Sequence, residues 1–514
     1  MLYFKKFKLN FIKNSKKAKK IQCFFAIITL FNFPKGYKML QSGIHKILIA
    51  NRGEIAIRIV RACKDLHIAN VAIYTKPDSE CLHVKVADEA YCVGDEPLKG
   101  YLDPHKIIET AKQCGADAIH PGYGFLSENY EFAKAVEDAG LILIGPTSDV
   151  ILKMGNKNIA RSLMKQNGIP VVPGTDPLNK ESIDEIKKMA RRIGYPVILK
   201  SSGGGGGRGI REVWSEDALE ENLESCKREA KAFFNNDEVF MEKLVEKPRH
   251  IEFQILGDNY GNIIHLWERD CSIQRRHQKV IEIAPCPTIS DSLRKRMGVA
   301  AVAAAKAVGY TNAGTIEFLL DDYNNFYFME MNTRIQVEHG ITEEVTGVDL
   351  IGRQIRIAAG EILDIEQSEV KARGVAIEAR ITAENAWKDF IPSPGTITGY
   401  FPALGPGVRV DTHIYQDYEI PPFYDSMLAK LIVKASNYEL AVSKLERALD
   451  EFKIQGVTTT LPFLHAISKR RHFRKGFFDT SYLEERLDDI LENTADEASE
   501  VVAAIAAAKI KDLQ

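Results

Sequence analysis

The stretch FYFMEMNTRIQVEHG, from Phe326 to Gly340, decides how the central part of this chain is expected to fold. Read as a β-strand, it places alternate side chains on opposite faces. One face is then apolar, and the other carries carboxylates, amides and a guanidinium. The residues that share this polar face are Glu330, Asn332, Arg334, Gln336 and Glu338. Such a face is typical of an active-site floor, and the alternative is an edge strand with a solvated face.

The segment before this stretch predicts a β-hairpin. GTIEFLL, Gly314 to Leu320, and FYFMEMN are two strand-like runs that flank a short polar turn. If the turn is centred between Tyr323 and Asn324, Glu317 lies directly opposite Glu330. Cross-strand neighbours have Cβ atoms roughly 4.5–5.5 Å apart, and like charges there destabilise a sheet.

Two facing carboxylates require a cation between them. Carboxylate and amide oxygens are hard ligands, which suit Mg²⁺ or Mn²⁺ and not zinc. We therefore expect Glu317, Glu330 and Asn332 to hold a divalent metal ion, with Arg334 and Glu338 just beyond it.

Length and charge narrow the class of protein. A chain of 514 residues suits roughly two to four domains. The net charge of −2 gives no basic field that would hold nucleic acid. The eight cysteines are scattered without a CxxC pair, which favours reduced thiols and a cytoplasmic location over a disulfide framework.

The first 38 residues differ from the rest, because they are rich in lysine and contain no acidic residue. Their apolar run, Cys23 to Phe33, is shorter than the ~20 residues that span a bilayer. No small-x-small cleavage site follows it. We expect no membrane span here, but a disordered extension, or an upstream start codon with the natural start at Met39. A membrane-surface anchor is the alternative.

From Lys46 onward, short apolar strands alternate with helices. KILIAN (Lys46 to Asn51) and VAIYT (Val71 to Thr75) read as buried strands, with a helix from Glu54 to Lys64 between them. This alternation predicts a parallel sheet with helices on both faces. HPGYGFLSEN, from His120 to Asn129, is a glycine-broken turn at a strand end, where such sheets place ligands. The alternative for this segment is a tight loop.

Five consecutive glycines, Gly203 to Gly207, stand between two predicted strands. Glycine allows backbone N–H groups to close over a phosphate, and such a loop can act as a lid. The segment is not a Walker A motif, which needs GK[ST] at the start of a helix, and a flexible linker is the alternative. Lys157 and Lys200, both expected on strands, would supply charge for a polyphosphate.

Two further segments predict ligand contacts. VFMEKLV, Val239 to Val245, reads as a strand that could pass a nucleobase through backbone groups near Glu242 to Leu244. ERDCSIQRRHQKVIEIAP follows between two predicted buried strands, so its cationic donors are expected to bind an anion. Those donors are Arg269, Arg275, Arg276, His277 and Lys279.

The remaining sequence predicts a third, smaller α+β domain, which begins with the strand VAIEARI that carries Glu378 and Arg380. The expected division of the chain is an extension at 1–43, a Rossmann-like domain at 44–153, a nucleotide-binding domain at 154–372 with a lid at about 172–244, a C-terminal domain at 373–484, and a helical tail at 485–514.

These motifs resemble, in order, those of the biotin carboxylase family, the ATP-grasp component of the biotin-dependent carboxylases. They are ILIANRGEIAIRI, HPGYGFLSEN, MGNK, ILKSSGGGGGRG, MEK, PRHIE, RDCSIQRRHQK, EMNTRIQVEH and EARI. The likeness runs from about His45 to Leu483. It implies an ATP-grasp fold, of mixed α/β and α+β class, between a Rossmann-like N-terminal domain and a biotin carboxylase C-terminal domain.

The resemblance implies that ATP and bicarbonate carboxylate biotin through carboxyphosphate. The positions that match the family's ATP contacts are Lys157, Lys200, Gly206, Gly207, Glu242, Lys243, Leu244, Val245, His250, Gln274, His277, Glu317 and Glu330. Those that match its bicarbonate pocket are Lys279, Arg334, Gln336, Val337 and Glu338. Glu338 resembles the general base, and Arg380 resembles the residue that stabilises the biotin enolate. Glu317, Glu330 and Asn332 match its metal ligands. Lys279, Arg334, Glu338 and Arg380 are thus the expected catalytic group.

The sequence departs from the family pattern at two positions. Gly340 stands where biotin carboxylases commonly have proline. Ile283 stands where single-function bacterial subunits often have a second glutamate. This second difference and the alanine-rich tail look more like pyruvate carboxylase subunits.

No Ala-Met-Lys-Met-like biotinylation site occurs in the sequence. We therefore expect biotin to arrive on a separate carrier or biotinyl-domain subunit, and the carboxyltransferase to be a further chain. The family resemblance implies a homodimer. The alternatives are another bicarbonate-activating ligase, similar to carbamoyl-phosphate synthase, and a non-catalytic scaffold for a carboxylase.

Overall fold

A computed structural model describes residues 43–178, 181–201, 209–234 and 237–492. The expectations for the basic N-terminal segment, for Gly206 and Gly207, and for the alanine-rich tail lie outside the described residues. Within those ranges, no helix is long and apolar enough to cross a bilayer, and the cysteines are free thiols.

A parallel sheet forms the N-terminal part, as the strand–helix alternation predicts. Its strands are β1 (Lys46–Ile49), β2 (Ala69–Thr75), β3 (Glu89–Gly94), β4 (Ala118–His120) and β5 (Ile142–Leu143), in the order β3-β2-β1-β4-β5. Its helices are α1 (Gly53–Asp65), α2 (Leu82–Val86), α3 (Pro104–Cys114) and α4 (Tyr130–Asp138). Gly53 has a φ of +67°, so the chain turns at once from β1 into α1. The turn HPGYGFLSEN follows β4, at the carboxyl edge of the sheet.

Two helices, α5 (Ser148–Gly155) and α6 (Lys157–Gln166), lead to a small antiparallel sheet. That sheet has the order β7-β6-β8, with β6 at Val197–Ser201, β7 at Ile210–Val213 and β8 at Val239–Lys243. Helices α7 (Ile183–Ile193) and α8 (Leu219–Phe234) belong to the same region. Lys200 lies on β6 as predicted. The strand position expected for Lys157 is wrong, because the Asn156 side chain caps a helix that begins at Lys157.

An eight-stranded antiparallel sheet forms the centre of the molecule. Its strands are β9 (Arg249–Gly257), β10 (Ile263–Arg275), β11 (Gln278–Ala284), β12 (Asn312–Leu320), β13 (Phe326–Asn332), β14 (Val375–Thr382), β19 (Val408–Thr412) and β21 (Met427–Ala435). Their order is β13-β12-β9-β10-β11-β14-β21-β19. One continuous sheet therefore runs through both the second and the third predicted segments.

The remaining elements are helices and short strand pairs. The helices are α9 (Asp291–Ala307), α10 (His339–Thr346), α11 (Leu350–Ala358), α12 (Tyr438–Glu451), α13 (Leu461–Lys469) and α14 (Arg471–Lys475). The short strands β15 (Glu384–Asn385), β16 (Ile391–Pro392), β17 (Gly395–Thr396), β18 (Gly399–Phe401), β20 (Glu419–Ile420) and β22 (Lys453–Gln455) form two-stranded pairs. Helix α9 buries Ala301, Ala304 and Ala305, small residues that pack closely with the aliphatic and aromatic side chains of β9 and β12.

Candidate functional site

The hairpin β12–β13 has the predicted pairing at its acidic residues. Glu317 lies directly opposite Glu330, Thr315 opposite Asn332, and the register then shifts by one residue toward the turn. Met329 is the extra residue of this β-bulge, and it is 37% exposed. The pairing of the two carboxylates therefore follows the prediction, whereas the pairs nearer the turn do not.

The expected strand through Glu338 is wrong, because β13 ends at Asn332. Arg334 and Gln336 lie in a loop, and Glu338 stands immediately before helix α10. The loop still brings these side chains together. Gln336 Nε2 donates to Glu317 Oε1 at 2.8 Å, and Arg334 Nη2 donates to Asn332 Oδ1 at 3.0 Å. These side chains therefore meet because of the path of the loop, and not because alternate residues of a strand share one face.

Lys279 is the centre of a buried group that we name the lysine cluster: Lys279, Glu252, Glu317 and Glu338. Its Nζ donates to Glu252 Oε2 at 2.6 Å, to Glu317 Oε1 at 3.0 Å and to Glu338 Oε1 at 2.6 Å. Burial alone would lower the pKa of Lys279, but the surrounding carboxylates outweigh burial and hold this pKa well above its ordinary value. Lys279 is therefore charged, and its ammonium group donates a hydrogen bond to each of the three acids.

Two acids of the lysine cluster are held ionised by their neighbours. Burial opposes ionisation of Glu338, yet Lys279, Arg380 and Arg269 keep its pKa well below the ordinary value. Burial likewise opposes ionisation of Glu317, but Lys279 and His250 keep its pKa well below the ordinary value. Glu338 is thus an ionised carboxylate, the form that can accept a proton.

The surroundings of Glu330 show whether a divalent metal ion fits between this carboxyl and Glu317. Burial, followed by the charge of Glu317, raises the pKa of Glu330, so this carboxyl lacks the cation that its facing partner has. The amide of Asn332 lies beside them and donates from Nδ2 to Glu317 Oε1 at 2.8 Å. Two carboxyls and an amide are oxygen donors of the kind that Mg²⁺ and Mn²⁺ prefer. The residues present fit the metal.

A second trio of possible metal ligands is His250, Glu252 and Glu317, whose donor atoms lie within 4.8 Å of one another. Lys279 Nζ already contacts both acids of this trio. His250 Nε2 lies 3.0 Å from Glu317 Oε2, a charge contact without good hydrogen-bond alignment. These residues are better described as neighbours of the Glu317 site than as a site of their own.

Arg380, on β14, connects the lysine cluster to the C-terminal part of the sheet. Its Nε donates to Glu282 Oε1 at 2.6 Å, and its Nη2 donates to Glu338 Oε2 at 2.9 Å. Arg380 therefore lies beside the predicted general base, held between two acids. Val337, the remaining residue of the predicted bicarbonate pocket, accepts a hydrogen bond from Lys430 Nζ through its carbonyl oxygen at 2.7 Å.

The predicted adenine segment lies at the end of β8. Glu242 contacts Lys200 Nζ at 2.7 Å and Arg161 Nε at 3.2 Å. The backbone N–H groups of Lys243 and Leu244 donate to carbonyl groups of the preceding chain, and Val245 follows as an irregular residue. Lys200 and the adenine segment therefore adjoin each other.

The basic run of β10 and β11 divides into residues with different surroundings. Arg269 is fully buried, and its guanidinium donates to acceptors of the protein, so its expected anion-binding role is wrong. Those acceptors are Glu252, Gln254, Thr315, Gln336 and Thr342. Arg275 and Arg276 pair with Asp389. Gln274 pairs with Lys279 across the two strands, and His277 is exposed in the hairpin turn.

Three acids that contact the site were absent from the sequence prediction. Glu252 follows His250 at period two on β9, a pattern that could have identified it. Glu128, from the turn after β4, accepts from Arg334 Nε at 2.8 Å, and its place in the HPGYGFLSEN motif was a signal. Glu282 stands in the apolar run VIEIAP, and no sequence pattern distinguished it.

Comparison with known proteins defines the class first. The middle of the chain, residues 156–366, matches the family model "Carbamoyl-phosphate synthase L chain, ATP binding domain". Residues 43–151 match "Biotin carboxylase, N-terminal domain", and residues 378–485 match "Biotin carboxylase C-terminal domain". The class is therefore an ATP-grasp enzyme, and the two flanking models distinguish it from the carbamoyl-phosphate synthases.

Individual proteins agree with the flanking models. The chain is 52% identical to biotin carboxylase 1 of Bacillus subtilis over 86% of this chain and 98% of that protein. It is 53% identical to a pyruvate carboxylase subunit of Methanothermobacter thermautotrophicus over 86% of this chain and 89% of that protein. The chain belongs to the biotin carboxylase family.

A solved structure shows the same fold. The biotin carboxylase domain dimer of the 2-oxoglutarate carboxylase of Hydrogenobacter thermophilus, in complex with MgADP, ADP and bicarbonate, superposes with a TM-score of 0.82. The identity is 50%, and the match covers 88% of this chain and 99% of that one. The expected ATP-grasp fold is thereby confirmed.

Proposed function

We propose that this chain is the biotin carboxylase subunit of a multi-subunit carboxylase, which uses ATP and bicarbonate to carboxylate biotin on a separate carrier protein. The observation that carries this function is the contact of Glu338 with both Lys279 and Arg380. Glu338, an ionised base, thus lies between the Lys279 ammonium group and the Arg380 guanidinium. This arrangement suits a reaction in which bicarbonate and biotin meet at one carboxylate.

The nucleotide is assigned to the edge formed by β6, β8 and the β12–β13 hairpin. Lys157, Lys200, Gly206, Gly207 and His250 are assigned to the phosphates. Glu242, Lys243, Leu244 and Val245 are assigned to adenine, and Gln274 and His277 complete the nucleotide contacts. The adjacency of Lys200 and Glu242 supports this assignment. Glu317, Glu330 and Asn332 would hold Mg²⁺ or Mn²⁺, which neutralises phosphate charge when bound.

Bicarbonate is assigned to Lys279, Arg334, Gln336, Val337 and Glu338. Bicarbonate is a poor nucleophile, so a carboxylate in hydrogen-bond reach assists it. Glu338 takes the bicarbonate proton while the bicarbonate oxygen bonds to the γ-phosphorus and the ADP oxygen leaves. Lys279 and Arg334 offset the negative charge of the carboxyphosphate product. Exclusion of water then protects this intermediate.

Biotin is assigned to Arg380. Loss of the ureido proton moves negative charge onto the ureido oxygen, and a fixed guanidinium there stabilises it. Arg380 is held by Glu282 on one side and by Glu338 on the other, so its position is set before biotin arrives. Arg380 is therefore the residue expected to distinguish biotin carboxylation from simple ATP cleavage.

The division of the chain and its partners follow from the same family membership. We infer domains at 44–153, 154–372 and 373–484, which the matched ranges support. The partners are a biotin carrier, a carboxyltransferase and a second copy of this chain, in the cytoplasm. Relatives named for pyruvate and 2-oxoglutarate carboxylases are similarly close, so the acceptor is assigned to the transferase and not to this chain.

One assay tests the proposal. Purified protein should cleave ATP in a bicarbonate-dependent reaction, and free biotin should stimulate it. Stimulation by ammonia in place of biotin would indicate a carbamoyl-phosphate-type ligase. No ATP cleavage at all would indicate a scaffold. The protein that co-purifies then identifies the acceptor: a two-chain transferase indicates acetyl-CoA, and one long chain ending in a biotinyl domain indicates pyruvate.

A further inference from the structure

Behind Arg380, strands β11 and β14 place two glutamates face to face. Glu282 lies directly opposite Glu378 in the antiparallel register, and both are fully buried. Directly opposed residues have Cβ atoms roughly 4.5–5.5 Å apart, where like charges repel. We name Glu282 and Glu378 the carboxyl pair.

The two members of the carboxyl pair have different partners. Glu282 Oε1 accepts from Arg380 Nε at 2.6 Å. Both oxygens of Glu378 are buried without a hydrogen-bond partner among the described residues. Helix α10 covers this acid so closely that a Cβ on Gly340 would lie 3.6 Å from Glu378 Oε2. A buried carboxylate without hydrogen bonds is far more costly than a neutral carboxyl, so the proton belongs on Glu378.

The charged groups on the surrounding elements do not make ionisation of Glu378 favourable. Burial raises the pKa of Glu378 well above its ordinary value; Lys430 and Arg380 oppose this, whereas Glu282 and Glu338 add to it. Burial also raises the pKa of Glu282 to about 7, against the effect of Arg380. Lys279 also lowers the pKa of Glu282. Other titratable groups near the pair are Tyr123, Cys271, Arg409, Asp411 and Glu54; Arg409 pairs with Asp411, and Glu54 and Asp411 lie beside Lys430.

We propose that Glu282 and Glu378 share one proton, and that this proton sets how firmly Glu282 holds Arg380. With the proton in place, the pair carries one negative charge, and the guanidinium can turn to the ureido oxygen of biotin. When the proton leaves to solvent, two carboxylates retain the guanidinium. Glu378 is thus a positioning residue that acts on Arg380 through Glu282. The inference rests on the proposed function, because biotin is the ligand assigned to Arg380.

The variant Glu378→Gln tests the proposal, because an amide of the same size cannot release the proton. Biotin-stimulated ATP cleavage should lose rate at alkaline pH in the wild type. In Glu378→Gln, this alkaline limb should move upward by at least about one pH unit, with the neutral rate retained within about threefold. An alkaline limb at the wild-type position would overturn the proposal.

Glu268 offers a matched control on the same sheet. It is fully buried on β10, its Oε2 also lacks a hydrogen-bond partner among the described residues, and it contacts Arg294 rather than Arg380. Glu268→Gln should keep the wild-type pH profile. An equal shift in both variants would mean that any buried glutamate produces the effect, and would also overturn the proposal.

Infrared difference spectroscopy covers the case in which Glu378→Gln does not fold. In the Glu268→Gln background, the carbonyl absorption of neutral buried carboxyls, to which Glu330 also contributes, should fall by one carboxyl's share over the pH range in which biotin stimulation is lost. An absorption that does not change over this pH range would contradict a shared proton. A wild-type protein that biotin does not stimulate at all would instead defeat the proposed function.

Discussion

The lysine cluster and the carboxyl pair are both buried at the same eight-stranded sheet, which carries all of their members except Glu338, yet Glu338 and Glu378 have opposite pKa shifts. In the lysine cluster, Lys279 donates to three carboxylates, and the pKa values of Glu317 and Glu338 are held well below the ordinary value. In the carboxyl pair, Glu378 has no hydrogen-bond partner among the described residues, and its pKa is raised. The difference teaches that burial alone does not decide which buried acids are charged, because Glu338 accepts from two cationic donors and Glu378 accepts from none among the described residues.

The largest expected effect comes from removing the shared cation. Lys279→Met leaves Glu252, Glu317 and Glu338 without their common donor. Breaking a buried ion pair typically costs about 3–5 kcal/mol, and we expect biotin-stimulated ATP cleavage to fall at least about a thousandfold. Urea unfolding and steady-state rates measure the two effects. Lys279→Arg should recover more stability than activity; unchanged stability in Lys279→Met would mean that the cluster acids are neutral.

The next largest effect is expected from removing Arg380, which contacts both the lysine cluster and the carboxyl pair. Arg380→Ala takes away the donor that contacts both Glu282 and Glu338, and the loss of one such preorganised donor costs ~2.7–4 kcal/mol. Biotin carboxylation should fall by about two to three decades, whereas bicarbonate-dependent ATP cleavage without biotin should fall less. Full retention of biotin carboxylation would remove Arg380 from the site.

A smaller effect is expected where the lysine cluster meets the assigned metal site. Glu317→Gln keeps the size of the side chain but removes the charge that faces Glu330. The Mg²⁺ concentration for half-maximal activity should rise at least about tenfold, which a metal titration measures. Glu268→Gln, away from the site, should leave the titration unchanged. An unaltered metal dependence in Glu317→Gln would show that Glu317 is not a ligand.

The smallest effect is expected for two buried histidines, whose pKa values are lowered mainly by burial. Burial lowers the pKa of His83 to about 4 and that of His413 to about 3. The unfolded chain binds these protons near pH 6.5, so stability falls as pH drops from about 6.5 toward about 4, by about 1.4 kcal/mol per pH unit for each histidine.

Urea unfolding at pH 7 and pH 5 measures this slope. His83→Gln should reduce it by about one histidine's share, and His105→Gln, at an exposed position, should not. Equal slopes in wild type and His83→Gln would mean that His83 is already protonated in the folded protein.

The sequence predicted the fold and the facing acids of this site because those depend on local pattern. Alternating strands and helices indicated the parallel sheet, and the polar turn indicated the pairing of Glu317 with Glu330. The bulge at Met329 carries no such pattern, so the register near the turn was missed. The end of β13 at Asn332 was missed as well, because a loop and a strand can share the same alternation of polar residues.

The roles of charged residues were harder to predict, because they depend on contacts between distant segments. Lys279 was identified, but its partners Glu252 and Glu338 come from β9 and from the start of α10. Arg269 was expected to bind an anion, yet it is saturated by five acceptors inside the protein. Glu282 and Glu378 face each other only because β11 and β14, which lie far apart in the sequence, pair in the sheet.

The continuous eight-stranded sheet has a mechanical consequence. Backbone hydrogen bonds join each neighbour from β12, which carries Glu317, to β14, which carries Arg380. Neither strand can slide past the other without breaking a ladder, so the sheet sets the distance between Glu317 and Arg380, the residues that we assign to the metal and to biotin. Under the proposed function, the carrier brings biotin to this fixed position, and the carrier makes the movement in the reaction cycle.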